Sequence, residues 1–190
     1  MKRLAAILLA GVLFTSCSPD SSVFNRYEIG GDFTLTGMEG TPVSLSDYKG
    51  KLVLLFFGYT LCPDACPFAL SKMSGAFHML GPKNAEKIQV LFVSVDTERD
   101  NPARLKEYFT AFNFPVIGLT GTKEEIAAVA AKYQATYSKV ESNSAMGYLI
   151  DHSTIIYLID TEGNVRYTFR HNDGVEKMVN IIKTLIRIQF

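Results

Sequence analysis

Leu52-Val53-Leu54-Leu55-Phe56-Phe57-Gly58-Tyr59-Thr60-Leu61-Cys62-Pro63-Asp64-Ala65-Cys66-Pro67 is the stretch on which the reading of this chain turns. From Leu52 to Phe57 the residues are apolar without a break, as expected of a strand buried on both faces of a sheet. After Cys66-Pro67 the period changes. Leu70, Met73, Phe77 and Leu80 recur at helical spacing, and Gly81-Pro82 supplies a stop. The cysteines therefore sit between a buried strand and a helix, and α/β folds place their sites in loops at the carboxyl ends of strands.

The same logic extends in both directions. Upstream, Phe33 to Thr36 and Thr41 to Leu45 read as short strands around a Gly37–Gly40 turn. Downstream, Ile88 to Val95 is a second buried strand ending at Asp96. Pro102 opens a helix whose apolar face is Leu105, Tyr108, Phe109 and Phe112. Thr122 and Glu125 form a capping-box pattern for a helix through about Tyr133. Ser138 to Gly147 reads as a polar loop. Thr154 to Ile159 and Val165 to Phe169 then pair as a hairpin, and an amphipathic helix runs from about Gly174 to Ile188. Alternating strands and helices with a closing hairpin and helix describe an α/β, thioredoxin-like fold. Its central mixed sheet is flanked by helices and carries an N-terminal hairpin extension.

Composition agrees with one globular domain. Of 190 residues, 47% are hydrophobic and 20% charged, which excludes a disordered chain. Lys+Arg and Asp+Glu are both 19, a balance that argues against nucleic acid as a partner. Lys2 and Arg3 precede an apolar stretch from Leu4 to Phe14, followed by Thr15, Ser16 and Cys17. That stretch is shorter than the roughly 20 residues of a membrane span and has the form of a secretory signal. Cys17 directly after the small residues resembles a bacterial lipobox, and Ser18, Pro19, Asp20, Ser21 and Ser22 follow as a polar tether. The expected organisation is a lipoprotein signal at 1–16, a lipidated tether at 17–26 and one domain at 27–190. The mature protein would then be an extracytoplasmic, membrane-anchored bacterial lipoprotein, in a compartment where thiols tend to oxidise.

With Cys17 assigned to lipid, Cys62 and Cys66 remain for chemistry. Their spacing brings both sulfurs to one side of a helical turn, near enough to share a metal or close a disulfide. The helix N-terminus favours thiolate in either case. Zinc accepts such ligands, but two thiolates plus one further donor better suit cuprous copper, a soft ion content with low coordination. A plain structural disulfide is the other reading, although so small a loop gains little from a bridge. Three histidines are available as a third donor. His78 follows Ser71, Ser74 and Gly75 on the polar side of its helix, and His171 follows the last strand. His152 lies in Asp151-His152-Ser153, where the polar loop meets the next strand. Spacing alone does not bring it to Cys62.

Phe57-Gly58-Tyr59-Thr60-Leu61-Cys62-Pro63-Asp64-Ala65-Cys66-Pro67 resembles the signature of the Sco/SenC family of copper chaperones for cytochrome c oxidase. So do Val93-Ser94-Val95-Asp96-Thr97-Glu98-Arg99-Asp100, Pro102 with Leu105 and Tyr108, and Tyr148-Leu149-Ile150-Asp151-His152-Ser153. Thr97 stands where proline is common, and Leu61 where a polar residue is frequent, both outside the ligand set. The resemblance implies a thioredoxin-like domain binding copper, as Cu(I) and also as Cu(II), through Cys62, Cys66 and His152. It also implies a redox disulfide between Cys62 and Cys66. The implied partners are subunit II of the oxidase at its dinuclear copper A site, a thioredoxin-like reductant and an upstream copper donor. Asp64 and Asp151 adjoin these ligands and Asp96 and Asp100 end the second strand, so the four are candidates for orienting ligands or docking a partner. The rival function is an extracytoplasmic thiol–disulfide oxidoreductase, which needs the same two cysteines but gives a distant imidazole no role as ligand.

The lipid assignment is tested at Cys17. Cys17→Ser is expected to release the protein from membranes or to block its processing. A variant that is cut normally and stays membrane-bound would show that the anchor is something else.

Overall fold

Thr34–Gly37 (β1) and Pro42–Ser44 (β2) form the N-terminal hairpin, in register from Thr34 opposite Ser44 to Thr36 opposite Pro42. The structure, a computed structural model, describes residue 24, residues 27–142 and residues 147–190. The signal at 1–16 and Cys17 lie outside the described residues, as does most of the 17–26 tether. Among the described residues no helix is long and apolar enough to cross a membrane.

The decisive stretch folds as its pattern requires. Leu52–Gly58 (β3) is buried at all seven positions and leads into Ala65–Leu80 (α1). The four-residue Pro82–Ala85 (α2) then returns the chain to Ile88–Ser94 (β4), again buried throughout. Strands β3 and β4 are parallel from Leu52 opposite Ile88 to Gly58 opposite Ser94. This is a βαβ crossover, and its two strands need apolar residues on both faces because helices and loops cover both sides. On α1 the buried face includes Leu70, Met73, Phe77 and Leu80. Each such side chain contributes about 1.5–3 kcal/mol by leaving water.

Pro102–Phe109 (α3) starts with Asn101, whose side chain accepts from the Arg104 amide, and with Pro102 in its first turn. It packs against Val116–Thr120 (β5), which runs parallel to β4 and antiparallel to β1. This strand is absent from the sequence reading. It has only five residues and is interrupted by Gly118, where a Cβ would lie 2.8 Å from the Phe109 ring and 3.0 Å from Leu105 Cβ. The glycine that weakens the strand signal is what lets α3 settle on the sheet. Lys123–Lys132 (α4) carries the expected reciprocal cap between Thr122 and Glu125.

The larger departure concerns residues 137–152. Instead of a polar loop from Ser138, Tyr137–Glu141 (β6) and Tyr148–His152 (β7) pair antiparallel as a separate two-stranded sheet, with Tyr137 opposite His152. Positions 138–141 are exposed, so no alternation of apolar and polar residues marks β6. His152 is thus the last residue of a strand, not a loop residue. Ile156–Ile159 (β8) and Val165–Phe169 (β9) form the expected hairpin, with β8 antiparallel to β3. Val175–Gln189 (α5) buries Met178, Val179, Ile182, Leu185 and Ile186 and packs along α1. The main sheet has the order β2-β1-β5-β4-β3-β8-β9, a mixed sheet flanked by helices in the thioredoxin-like manner.

Candidate metal centre

Cys62 lies in the short loop between β3 and α1, and Cys66 is the second residue of α1. The loop turns sharply, with the Cys62 amide donating to the Tyr59 carbonyl at 3.2 Å. Its start is fixed by Asp100, which is 2% exposed. The Asp100 carboxylate accepts from the Thr60 amide (2.8 Å), the Thr60 hydroxyl (2.6 Å) and the Ser94 hydroxyl (2.6 Å). Three donors offset the cost of burying this carboxylate and tie the cysteine loop to the end of β4.

Cys66 has no exposed surface, and its sulfur lies against the backbone of β3. A Cβ at Gly58 would stand 2.6 Å from Cys66 Sγ and 2.9 Å from the Phe92 ring. Gly58 therefore belongs to the site, a role that sequence reading overlooked. The only sign of it is a glycine at the end of an otherwise bulky strand.

His152 closes the group. Its Nε2 lies 3.6 Å from Cys62 Sγ and 3.5 Å from Cys66 Sγ. Its Nδ1 lies 3.1 Å from the Ser153 carbonyl, which can only accept. With its hydrogen on Nδ1 the ring donates to that carbonyl and leaves Nε2 as the donor atom for a metal, whereas a hydrogen on Nε2 lets it donate to the Cys62 thiolate. Phe56 and Tyr59 meet the imidazole edge-on, with centroids 5.9 and 5.7 Å away.

The cysteines differ sharply in proton affinity. A hydrogen bond from Cys66 holds the Cys62 thiol far below its ordinary range, to about 3. Burial opposes that shift, while His152 and the Cys66 and Asp64 amides add to it. The Cys66 amide points at Cys62 Sγ from 3.4 Å, so the first turn of α1 also presents its positive end to the thiolate. Cys66 is pushed the other way by burial and by its neighbour Cys62. One proton thus stays on Cys66 while Cys62 carries the charge.

The ligand atoms of Cys62, Cys66 and His152 all lie within 4.8 Å of one another, and among the described residues no other such cluster occurs. With metal–sulfur bonds of about 2.3 Å and a metal–nitrogen bond of about 2.0 Å, a planar three-coordinate ion would separate sulfur from nitrogen by about 3.7 Å. The observed 3.5 and 3.6 Å fit that arrangement with little movement. Two sulfurs and one imidazole form a soft donor set suited to cuprous copper.

The other candidates fall outside the group. His78 is exposed on α1, as expected of its polar face. His171 is exposed, with its ring 4.5 Å from that of Phe68. Asp64 and Asp151 are exposed. Asp96 and Asp100 are not solvated, each being 2% exposed and fully engaged by protein donors. The Tyr108 hydroxyl is buried without a hydrogen-bond partner, and burial, with the nearby thiolate charge adding to it, pushes its phenol up to about 12.

Comparison with known proteins points to one family. Residues 22–187 match the family described as SCO1/SenC. The SCO2-like protein of Rickettsia felis is 36% identical over 185 residues, covering 94% of this chain and 89% of that protein. Protein sco1 of Schizosaccharomyces pombe is 35% identical over 163 residues, which is 85% of this chain but only 62% of the yeast protein. The chain therefore spans less than two thirds of that relative's length. Among solved structures, copper-bound ScoI of Bradyrhizobium japonicum superposes with a TM-score of 0.75 at 39% identity, covering 83% of this chain and 99% of that one.

The contact at Gly58 yields a direct test. Gly58→Ala must displace Cys66 Sγ or the Phe92 ring, and is expected to weaken cuprous binding by about 10- to 100-fold, as loss of a supporting contact typically does. Competition with a cuprous chelator measures it, and circular dichroism checks the fold. A folded variant that binds like the parent would show that the Cys66 position is not limiting.

Proposed function

The chain belongs to the SCO1/SenC family, and on that premise we propose that it is a copper metallochaperone. Copper is its cargo, held by the Cys62 and Cys66 thiolates and by His152 Nε2. The reading extends to a lipid tether at Cys17 on the outer side of the cytoplasmic boundary. Delivery is to the dinuclear copper A site on subunit II of cytochrome c oxidase, after loading by an upstream donor. The observation that carries the proposal is the convergence of His152 on both sulfurs from a strand 86 residues away in sequence from Cys66. Copper bound to a relative of 39% identity supports the choice of ion.

A chaperone must release its cargo as well as hold it. Three donors leave a copper ion open to attack by a further ligand, so transfer can proceed by exchange of one bond at a time. Outside the cytoplasm the two thiols also close readily to a disulfide, which cannot offer the thiolates the metal requires. Loading therefore depends on a thioredoxin-like reductant.

One observation favours the second reading, a thiol–disulfide oxidoreductase. Cys62 is a stabilised thiolate with a resolving thiol, Cys66, beside it. The imidazole separates the two functions, because disulfide exchange uses the sulfurs and gives Nε2 no bond to make.

His152→Ala is expected to lose copper to a chelator at concentrations about tenfold lower than the parent tolerates, while Cys62 and Cys66 still interconvert between dithiol and disulfide. His78→Ala, on the exposed side of α1, is expected to change neither. If His152→Ala keeps copper as the parent does, the histidine is not a ligand and the oxidoreductase reading gains.

A further inference from the structure

His152 reaches the cysteines on a hairpin that joins no strand of the main sheet. The β6–β7 pair hydrogen-bonds to itself, so its seating depends on side chains. Along β7, residues two apart share a face, which puts Tyr148, Ile150 and His152 on one side of the strand. Ile150 is buried, and its amide donates to the Tyr59 hydroxyl at 3.2 Å.

Tyr148, at the other end of this face, enters a compact ionic cluster. Its hydroxyl donates to Asp96 Oδ1 at 2.7 Å, and Arg99 Nε donates to the other oxygen of the same buried carboxylate. The Arg99 guanidinium lies 3.6 Å from the centre of the Tyr148 ring, and its Nη1 donates to the Tyr148 carbonyl at 3.1 Å. A second cation, Lys139 Nζ, stands 3.8 Å from the same ring centre and pairs with Glu98 at 3.0 Å. Asp96, Glu98 and Arg99 belong to the segment after β4, so the cluster joins the hairpin to the main sheet. Hydrogen bonds to a buried carboxylate are among the stronger ones available, and desolvated cation–π contacts add to them.

We propose that Asp96, Arg99 and Tyr148 form a latch that sets the position of His152, making Tyr148 a positioning residue for the third copper donor. The proposal rests on the reading of Cys62, Cys66 and His152 as the copper ligands. From Tyr148 to His152 the strand is about 13 Å long, so the latch acts through the strand without touching the metal. A tilt of the strand about Ile150 that lifted Tyr148 would shift His152 in the opposite sense and take Nε2 out of register with the sulfurs it meets at 3.5 and 3.6 Å. The sulfurs, fixed by α1 and by the loop tied to Asp100, would stay in place.

Tyr148→Phe keeps the ring and removes only the hydroxyl. The test is a double-mutant cycle with His152→Ala, measuring cuprous affinity of the reduced full chain by chelator competition. Tyr148→Phe is expected to weaken copper binding about tenfold in the parent, in line with loss of a group that orients a ligand. In the His152→Ala background it is expected to cost nothing further. In the metal-free protein, amide hydrogen exchange over residues 148–152 is expected to quicken while Cys62 and Cys66 still close to a disulfide. Equal losses in both backgrounds, or no loss in the parent, would overturn the latch while leaving the ligand set standing. If His152→Ala alone costs nothing, the ligand reading fails first and the latch fails with it.

Discussion

Cys66 Sγ occupies the space that any side chain at Gly58 would need, 2.6 Å from where its Cβ would stand. The close approach of a sulfur to the last residue of β3 sets how α1 begins relative to the sheet. Because Cys66 is fully buried there, Cys62 must lie one turn earlier, at the mouth of the helix, with 8% of its surface exposed. The Cys66 amide then points at Cys62 Sγ, and the charge settles on the outer sulfur. Glycine at the strand end, the four-residue spacing and the helix N-terminus are three expressions of the same packing constraint. Asp100 reinforces it from the far side, since its carboxylate pins Thr60 to Ser94 and so limits how far the loop between Gly58 and Cys62 can move.

The site is therefore built from two unequal halves. The sulfurs sit beyond the carboxyl end of β3, which pairs with β4, two strands that are buried at every position. The imidazole belongs to a two-stranded sheet that stands apart from the main one and is exposed along most of β6. Local stability is lowest where few backbone bonds connect a segment to the core. A cargo site benefits from this division, because a fixed pair of soft ligands can retain the ion while the third donor is exchanged. A resident structural metal would instead call for a closed, saturated shell.

The sequence was most readable where one residue pattern had one physical cause. A continuous apolar run means burial on both faces, and β3 and β4 follow from it. The reciprocal cap at Thr122 and Glu125 and the apolar stripe of α1 are equally local signals. Readability failed where tertiary neighbours decide. Gly118 makes β5 look like a loop, yet the glycine is there to admit Phe109. The polar Ser138–Glu141 segment is a strand because its partner is β7, not because of its own pattern. The four aspartates look alike in sequence, but Asp64 and Asp151 are exposed while Asp96 and Asp100 are buried among donors. Likewise, nothing in the spacing of His152 placed it beside Cys62. Resemblance to a family supplied that expectation, and the geometry supplied the distances. The lesson of Gly58 is similar, since a missing side chain carries no pattern until the sulfur above it is seen.

Copper held as proposed bonds two sulfurs and one imidazole nitrogen within a single chain. X-ray absorption at the copper edge of the reduced, copper-loaded protein reads that shell directly. Two sulfur neighbours at about 2.3 Å and one nitrogen at about 2.0 Å are expected, with the outer scattering of an imidazole ring. A shell of sulfur alone, with no nitrogen at bonding distance, would contradict it.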